Sequence, residues 1–127
     1  MALVFRGLLL LAGLFFVLMG TGFMIDPATS GAQFGMLPDG NQGISSMRAD
    51  MTAFFWVGGG IMVWSAWRRS AVLLPAAGAL FAIAFIGRLV TVLFDGTYDG
   101  WPAPMAIEAV TVALCAIGYR QFAKFRR

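Results

Sequence analysis

Four long apolar segments are the feature that most constrains the fold of this chain. About 20 apolar residues in a helix are enough to cross the hydrocarbon core of a bilayer. Turn-forming residues separate the segments, and short connections make successive helices antiparallel neighbours. The sequence therefore predicts an all-α integral membrane protein, an up-down four-helix bundle forming a single domain over residues 1–127. The predicted spans are Val4 to Ile25, Ser46 to Trp67, Ala71 to Phe94 and Pro102 to Phe122.

The overall composition supports a membrane location and excludes several classes of protein. Of the 127 residues, 60% are hydrophobic and only 12% are charged. Soluble globular domains carry about 25% charged residues. A soluble enzyme, a disordered tail and a nucleic-acid-binding domain are therefore excluded, and membrane lipids are the expected surroundings.

The basic residues predict how the chain is oriented in the membrane. Arg6 lies near the N-terminus, Arg68 and Arg69 lie between the second and third segments, and further basic residues lie at the C-terminus. Short cytoplasmic segments of membrane proteins are enriched in Lys and Arg. We therefore expect both termini and the Arg68-Arg69 hinge to be cytoplasmic. The C-terminal basic residues are Arg120, Lys124, Arg126 and Arg127.

The chain lacks the side chains on which most catalytic and metal sites depend. It contains no histidine, and Cys115 is its only cysteine. Zinc sites, haem held by histidine, Ser-His-Asp catalysis and an intrachain disulfide are therefore excluded. We expect no catalytic residue, no metal site and no intrinsic cofactor, and an enzyme is the least supported class.

Charged residues inside the apolar segments are the candidate functional residues. Asp50 lies about 27 Å of helix from Arg68, and Arg88 and Glu108 lie at similar heights on the next two segments. Arg48 is half a turn further out, and Asp95 shares a helix face with Arg88. We therefore expect an electrically compensated cluster in the outer leaflet, because isolated charges in the membrane are costly.

Two interpretations of this cluster remain open, together with a third at a subunit interface. The charges either bind a ligand or relay protons, or they form a structural ion network that sets the register of the helices. Pairing across an interface between subunits would use the same residues. The residues in question are Arg48, Asp50, Arg88, Asp95 and Glu108.

Small residues mark candidate helix-packing surfaces. Gly58 and Gly59 lie at mid-membrane in the second segment, and Ala109 and Ala113 share a face of the fourth. Small side chains let helix backbones approach closely in lipid. Ser45 and Ser46 are the expected N-cap residues of the second helix.

Several short motifs resemble an uncharacterised family of small bacterial four-helix membrane proteins, a domain of unknown function that is distantly similar to the DoxX-like group. The resemblance covers about Ser45 to Arg120, and it implies a four-helix protein of the bacterial inner membrane with no established activity. Some DoxX-like proteins are membrane subunits of quinone-linked oxidoreductase assemblies, so the resemblance also implies a quinone ligand or a protein partner. The motifs are Arg48-Ala49-Asp50, Phe54-Phe55, Gly58-Gly59, Arg68-Arg69, Gly87-Arg88, Asp95-Gly96 and Glu108.

Three functions follow as hypotheses. The first is a non-catalytic accessory subunit of a larger membrane complex, and the second is a protein that binds a lipid or a quinone-like molecule at the charged cluster. The alternative is a small proton-coupled transporter that acts as a dimer, with Glu108 as the titrating group. An acid deeper toward the cytoplasm, which a proton pathway would need, is missing from the sequence.

Overall fold

The computed structural model describes residues 1–124, and these residues are largely helical. The prediction of an all-α fold is confirmed, since no β-strand occurs within this range. Arg126 and Arg127, which belong to the predicted C-terminal basic cluster, lie outside the described residues. The helices are α1 (Ala2–Ile25), α2 (Pro27–Ala32), α3 (Gly40–Arg68), α4 (Leu74–Phe94) and α5 (Pro102–Lys124).

Three of the helices have the length and apolarity that a membrane span requires. They are α1, α4 and α5, and they support the prediction of a membrane protein. α3 is longer than any of them, but it is less apolar overall. Arg48, Asp50 and the run Gly58-Gly59-Gly60 all lie within it and lower its mean hydropathy.

The end of α1 and the start of α2 share one aspartate. The N–H of Asp26 donates to the carbonyl of Gly22, and its carboxylate accepts hydrogen bonds from the backbone N–H and the hydroxyl of Thr29. These bonds, above all the one from the hydroxyl, lower the pKa of Asp26. Pro27 then occupies the first turn of α2, where its missing N–H costs nothing. The predicted break at Asp26-Pro27 is present, and a short helix follows it.

α3 begins earlier in the chain than the apolar pattern predicted. Its first residue is Gly40 rather than Ser46, and Asp39 takes the extended N-cap conformation. Ser45 and Ser46 lie inside the helix, so the expectation that they cap it is wrong. The apolar pattern marks only the part of a helix that needs an apolar environment. The first turns of α3 are polar, so the pattern did not include them.

A tight corner joins α3 to α4. Arg69 adopts the left-handed conformation with φ of 51°. The carbonyl of Ser65 accepts hydrogen bonds from the N–H groups of both Arg69 and Ser70. This arrangement satisfies a carbonyl at the helix end and reverses the chain at the predicted Arg68-Arg69 hinge.

The four long helices surround a common core, and each packs against two others. α1 contacts α3, α3 contacts α4, α4 contacts α5, and α5 closes the ring against α1. Arginines join α1 to α3 at both ends: Arg6 Nε donates to the carbonyl of Ala66, and Arg48 Nε donates to the carbonyl of Met24. Because each bond joins the start of one helix to the end of the other, α1 and α3 are antiparallel.

Glycines bring the backbones of α1 and α3 into direct contact. A Cβ atom built on Gly59 would lie 2.6 Å from the carbonyl oxygen of Gly13, and one built on Gly13 would lie 2.7 Å from that of Gly59. Gly58, the next small residue, faces the ring of Phe81 on α4, with a Cβ contact of 3.0 Å. Gly58 and Gly59 therefore lie where α3 meets α4 and α1, respectively.

The alanines of α5 lie on an exposed face of that helix. Ala109 and Ala113 are both exposed within the described part of the chain. Ala106 and Ala116 are exposed on the same face. The small-residue face of α5 therefore points away from the core.

Replacing Gly59 by alanine should lower the thermal midpoint of the protein in detergent micelles. The added methyl group would meet backbone atoms of α1, which cannot move aside as a flexible side chain can. Overpacking of this kind typically costs about 1–3 kcal/mol of unfolding free energy. Circular dichroism at 222 nm during heating would measure the change.

Gly60→Ala is the matched control, since nothing lies within 4 Å of a Cβ built on Gly60. Alanine favours helix over glycine by about 1 kcal/mol, so this variant should be as stable as the parent or more so. Equal destabilisation by both substitutions would contradict the proposed backbone contact.

Candidate functional site

An ion pair joins α4 to α5 within the apolar part of both helices. Arg88 Nε donates to Glu108 Oε1 at 2.7 Å. The Glu108 side chain is 9% exposed and the Arg88 side chain 29% exposed. A charge-assisted hydrogen bond of this length is among the stronger polar contacts in proteins.

The connection between α4 and α5 sets the heights of the two charges. The carbonyl of Thr91 accepts hydrogen bonds from the N–H groups of Asp95 and Gly96, which ends α4. Gly96 and Gly100 both have positive φ, which glycine adopts without strain. The chain then reverses, and α5 begins at Pro102. Arg88 before the turn and Glu108 after it consequently face each other.

The ion pair forms part of the wall of a cavity of about 270 Å³. All four long helices contribute to this cavity, together with the segment that follows α2. Apart from Arg88 and Glu108, every lining residue is apolar. The lining residues are Phe15, Phe16, Met19, Phe34, Met51, Phe54, Phe55, Phe81, Ala84, Arg88, Pro104, Ile107 and Glu108.

Phenylalanine rings form most of the apolar wall, and several of them pack on one another. The ring of Phe81 lies 4.4 Å from that of Phe16 and 5.2 Å from that of Phe54, measured between centroids. Phe16 also stacks on Phe55 at 6.0 Å. These contacts hold rings from three helices in fixed orientations around the cavity.

One oxygen of the ion pair has no partner. Glu108 Oε2 is buried and accepts no hydrogen bond from any residue in the described range. The nearby hydroxyl of Thr111 is not available to it, because Thr111 donates to the carbonyl of Ile107. Buried polar atoms in native proteins are nearly always hydrogen-bonded, so an unpaired one requires an explanation.

The family to which the chain belongs follows from a comparison with known protein families. A family model described as "Domain of unknown function (DUF4345)" matches residues 4–119. The chain belongs to this family. The match includes α1, whereas the motif resemblance in the sequence began only at about Ser45. No curated protein and no solved structure matches the chain significantly.

In this DUF4345 protein, the predicted charged cluster is smaller than the sequence suggested. The structure brings together Arg88 and Glu108 alone, and this is the one ion pair within residues 1–124. Asp50 and Asp95 are exposed. Arg48 reaches α1 instead, where its Nε donates to the carbonyl of Met24 at 2.9 Å.

The position of Arg48 has a simple physical reason. The last carbonyls of a helix have no partner within the helix, and the helix end carries a partial negative charge. Met24 lies in the last turn of α1, so its carbonyl attracts the guanidinium. The arginine therefore stabilises a helix end, and its charge also acts on the carboxylate of Asp26, two residues beyond Met24.

Sequence reasoning missed most of the cavity wall. Phe54 and Phe55 were noted only as part of a family motif, and Phe16, Phe34 and Phe81 were not singled out. The 12 phenylalanines of the chain do not by themselves show which rings line a cavity, since Phe15 is 49% and Phe94 82% exposed. The described residues also contain no group of three or more Cys, Asp or Glu residues that could hold a metal ion.

Removing either member of the ion pair should destabilise this DUF4345 protein more than removing both. Glu108→Gln or Arg88→Gln leaves one charge without its counterion, whereas the double variant leaves none. Double-mutant analysis of thermal unfolding should give a coupling of about 0.6–1.7 kcal/mol, as for polar contacts between membrane helices.

The same cycle applied to Arg48 and Asp50 is the control. These residues are close in sequence but form no ion pair in the structure. Their single effects should add, and a coupling as large as that of Arg88 and Glu108 would contradict the assignment of the pair.

Proposed function

We propose that this protein is a non-catalytic integral membrane protein that binds a small apolar molecule, such as a lipid or a quinone, in the cavity beside Arg88 and Glu108. The observation that carries the proposal is the cavity of about 270 Å³. Small-molecule sites are typically concave and mostly apolar, with a few polar groups that orient the ligand. Here the apolar wall is aromatic, and the polar groups are one ion pair.

The position of the ion pair favours binding over a purely structural role. A structural pair needs only mutual contact, and both carboxylate oxygens are then best satisfied by the protein. Glu108 Oε2 instead has no hydrogen-bond partner in the described range, and Arg88, whose side chain is 29% exposed, lines the cavity. A bound molecule would contact the accessible part of the Arg88 side chain.

The proposal includes four membrane spans in the inner membrane of a bacterium, with both termini and the Arg68-Arg69 hinge cytoplasmic. α3 is the fourth span, since it is long enough to cross and packs between α1 and α4. Arg6, Arg68, Arg69 and Lys124 lie at one end of the long helices. The ion pair lies toward the opposite end, so the cavity opens within the outer leaflet.

Cysteine labelling in intact cells would test this orientation. A cysteine replacing Thr97 should react with a membrane-impermeant maleimide, whereas one replacing Ser70 should react only after the cells are permeabilised. The reverse pattern would overturn the proposed topology. Cys115 is buried and serves as the unreactive background.

Filling the cavity should abolish ligand binding without unfolding the protein. Ala84 lines the cavity, so Ala84→Phe would place a ring inside it. Ala79 lies on the exposed side of the same helix, and Ala79→Phe makes the same chemical change away from the cavity.

Native mass spectrometry of protein extracted gently from its own membrane would provide the measurement. The parent chain and Ala79→Phe should retain one small molecule of defined mass, and Ala84→Phe should lose it. Retention by all three variants would place the ligand elsewhere. A folded parent chain that carries no small molecule would overturn the proposal.

An accessory role in a larger complex is the second candidate function, and the exposed alanine face of α5 favours it. Small residues on a lipid-facing surface permit close packing with a helix of another protein. The same native spectra would then show a stable complex with further polypeptides, and Ala109→Leu should dissociate it. A complex that survives both Ala109→Leu and Ala113→Leu would exclude this face as the interface.

A further inference from the structure

We propose that a groove between α4 and α5 binds one anionic phospholipid, with the lipid phosphate on Arg120 and an acyl chain along the groove. This groove is separate from the cavity beside Arg88 and lies toward the opposite end of the two helices. The site goes beyond the proposed function, from which only the leaflet is taken. In the proposed orientation this end is cytoplasmic, and the cytoplasmic leaflet is the one that carries anionic lipids.

Two small residues keep the groove open. Gly78 of α4 has no side chain, and the nearest atom to a Cβ built there is the Cβ of Cys115, at 3.4 Å. Ala116 of α5 is exposed and lines the same groove. The groove has a volume of about 380 Å³ and follows α5 from Val112 to Arg120, which is about 12 Å of helix. A hydrocarbon chain can therefore lie along it, parallel to the helices.

The lining of the groove changes from apolar to polar along α5. Leu74 and Cys115 form buried, apolar parts of the wall. Tyr119 and Arg120 are exposed and lie near the C-terminal end of α5. Tyrosine is common at the level of lipid head groups, and basic pockets between membrane helices on the cytoplasmic side bind anionic head groups. The lining thus matches a molecule with an apolar chain and a charged head.

Arg120 and its neighbour Lys124 have no acidic partner among the described residues. The one ion pair within residues 1–124 joins Arg88 to Glu108. Glu108 is the only acid of α5, and it precedes Arg120 by 12 residues, or about 18 Å of helix. All six acidic side chains of the sequence lie toward the other end of the long helices. An anion from outside the chain would compensate the exposed charges of Arg120 and Lys124.

The chemistry of these side chains favours a phosphate with a net negative head group. The planar guanidinium of arginine forms paired hydrogen bonds with phosphate oxygens. Lys124 lies four residues after Arg120, so the two side chains are neighbours on the helix surface. A zwitterionic head group also carries a cation, and no acidic side chain lies at this end of the long helices to receive it. A phosphatidylglycerol head group has the phosphate without the cation.

Three probes test the proposal on delipidated protein in a neutral detergent. They are palmitoyl-oleoyl phosphatidylglycerol, phosphatidylcholine with the same acyl chains, and glycerol phosphate. Phosphatidylcholine keeps the chains and the phosphate but adds a cation, whereas glycerol phosphate has the anionic head without the chains. Native mass spectrometry during titration would give the fraction of protein that carries one bound molecule, and from it the apparent affinity.

The parent chain should bind one phosphatidylglycerol about tenfold more tightly than phosphatidylcholine, and glycerol phosphate far more weakly than either. Arg120→Gln should lower the affinity for phosphatidylglycerol about tenfold, because it removes a charge-assisted hydrogen bond to the phosphate. Arg68→Gln is the matched control. Arg68 is exposed at the same end of the long helices but does not line the groove, so this variant should bind as the parent does.

The groove itself is tested separately from the charge. Ala116→Phe would place a ring in the groove and should weaken binding of phosphatidylglycerol. Ala109→Phe makes the same change on the same exposed face of α5, outside the groove, and should bind the lipid as the parent does. Equal weakening by both substitutions would overturn the assignment of the acyl chain to this groove.

The remaining outcomes separate this site from the proposed function. Equal affinity of the parent for the two lipids, equal losses in Arg120→Gln and Arg68→Gln, or tight binding of glycerol phosphate would each overturn the lipid site. Loss of phosphatidylglycerol from Ala84→Phe would place the lipid in the cavity beside Arg88, which overturns this site and supports the proposed function. Binding that depends on Arg120 supports this site even where the cavity carries no molecule. The probe series on the parent chain decides the question where a variant fails to fold.

Discussion

The contact between Gly13 and Gly59 determines how close α1 and α3 can come, and the cavity depends on that distance. With no side chain at either position, each glycine lies directly against the carbonyl of the other. The close approach holds Phe16 of α1 against Phe55 of α3, with ring centroids 6.0 Å apart. These rings form part of the cavity wall. A larger residue at the contact would separate the helices and move the wall.

Burial of the Arg88–Glu108 pair imposes a second constraint. A single charge inside a membrane costs about 2.5–3.5 kcal/mol on insertion scales, and opposite charges in contact reduce that cost. Arg88 and Glu108 meet because a short connection reverses the chain between them. The pair satisfies one carboxylate oxygen and leaves the other, which is buried, without a hydrogen-bond partner among the described residues.

The parts that sequence reasoning predicted correctly depend on local information. Apolar segments of membrane-spanning length predicted the four long helices, and Asp26-Pro27 marked the end of α1. The structure does not bring Arg48 or Asp50 to the Arg88–Glu108 pair. Depth along a helix places charges at the same height, but it does not show which of them face one another. Arg48 donates a hydrogen bond to a carbonyl at the end of α1, and Asp50 is exposed.

By itself, the sequence determined the all-α fold, the apolar character of the helices and the residue types available for chemistry. These follow from composition and from the order of apolar and turn-forming residues along the chain. The tertiary structure decided that Arg88 pairs with Glu108, that rings from three helices enclose a cavity, and that the alanines of α5 face outward. The physical reason is that the rotation of each helix about its axis is set by contacts between distant residues. Those contacts, such as the one between Gly13 and Gly59, form only when the helices pack together.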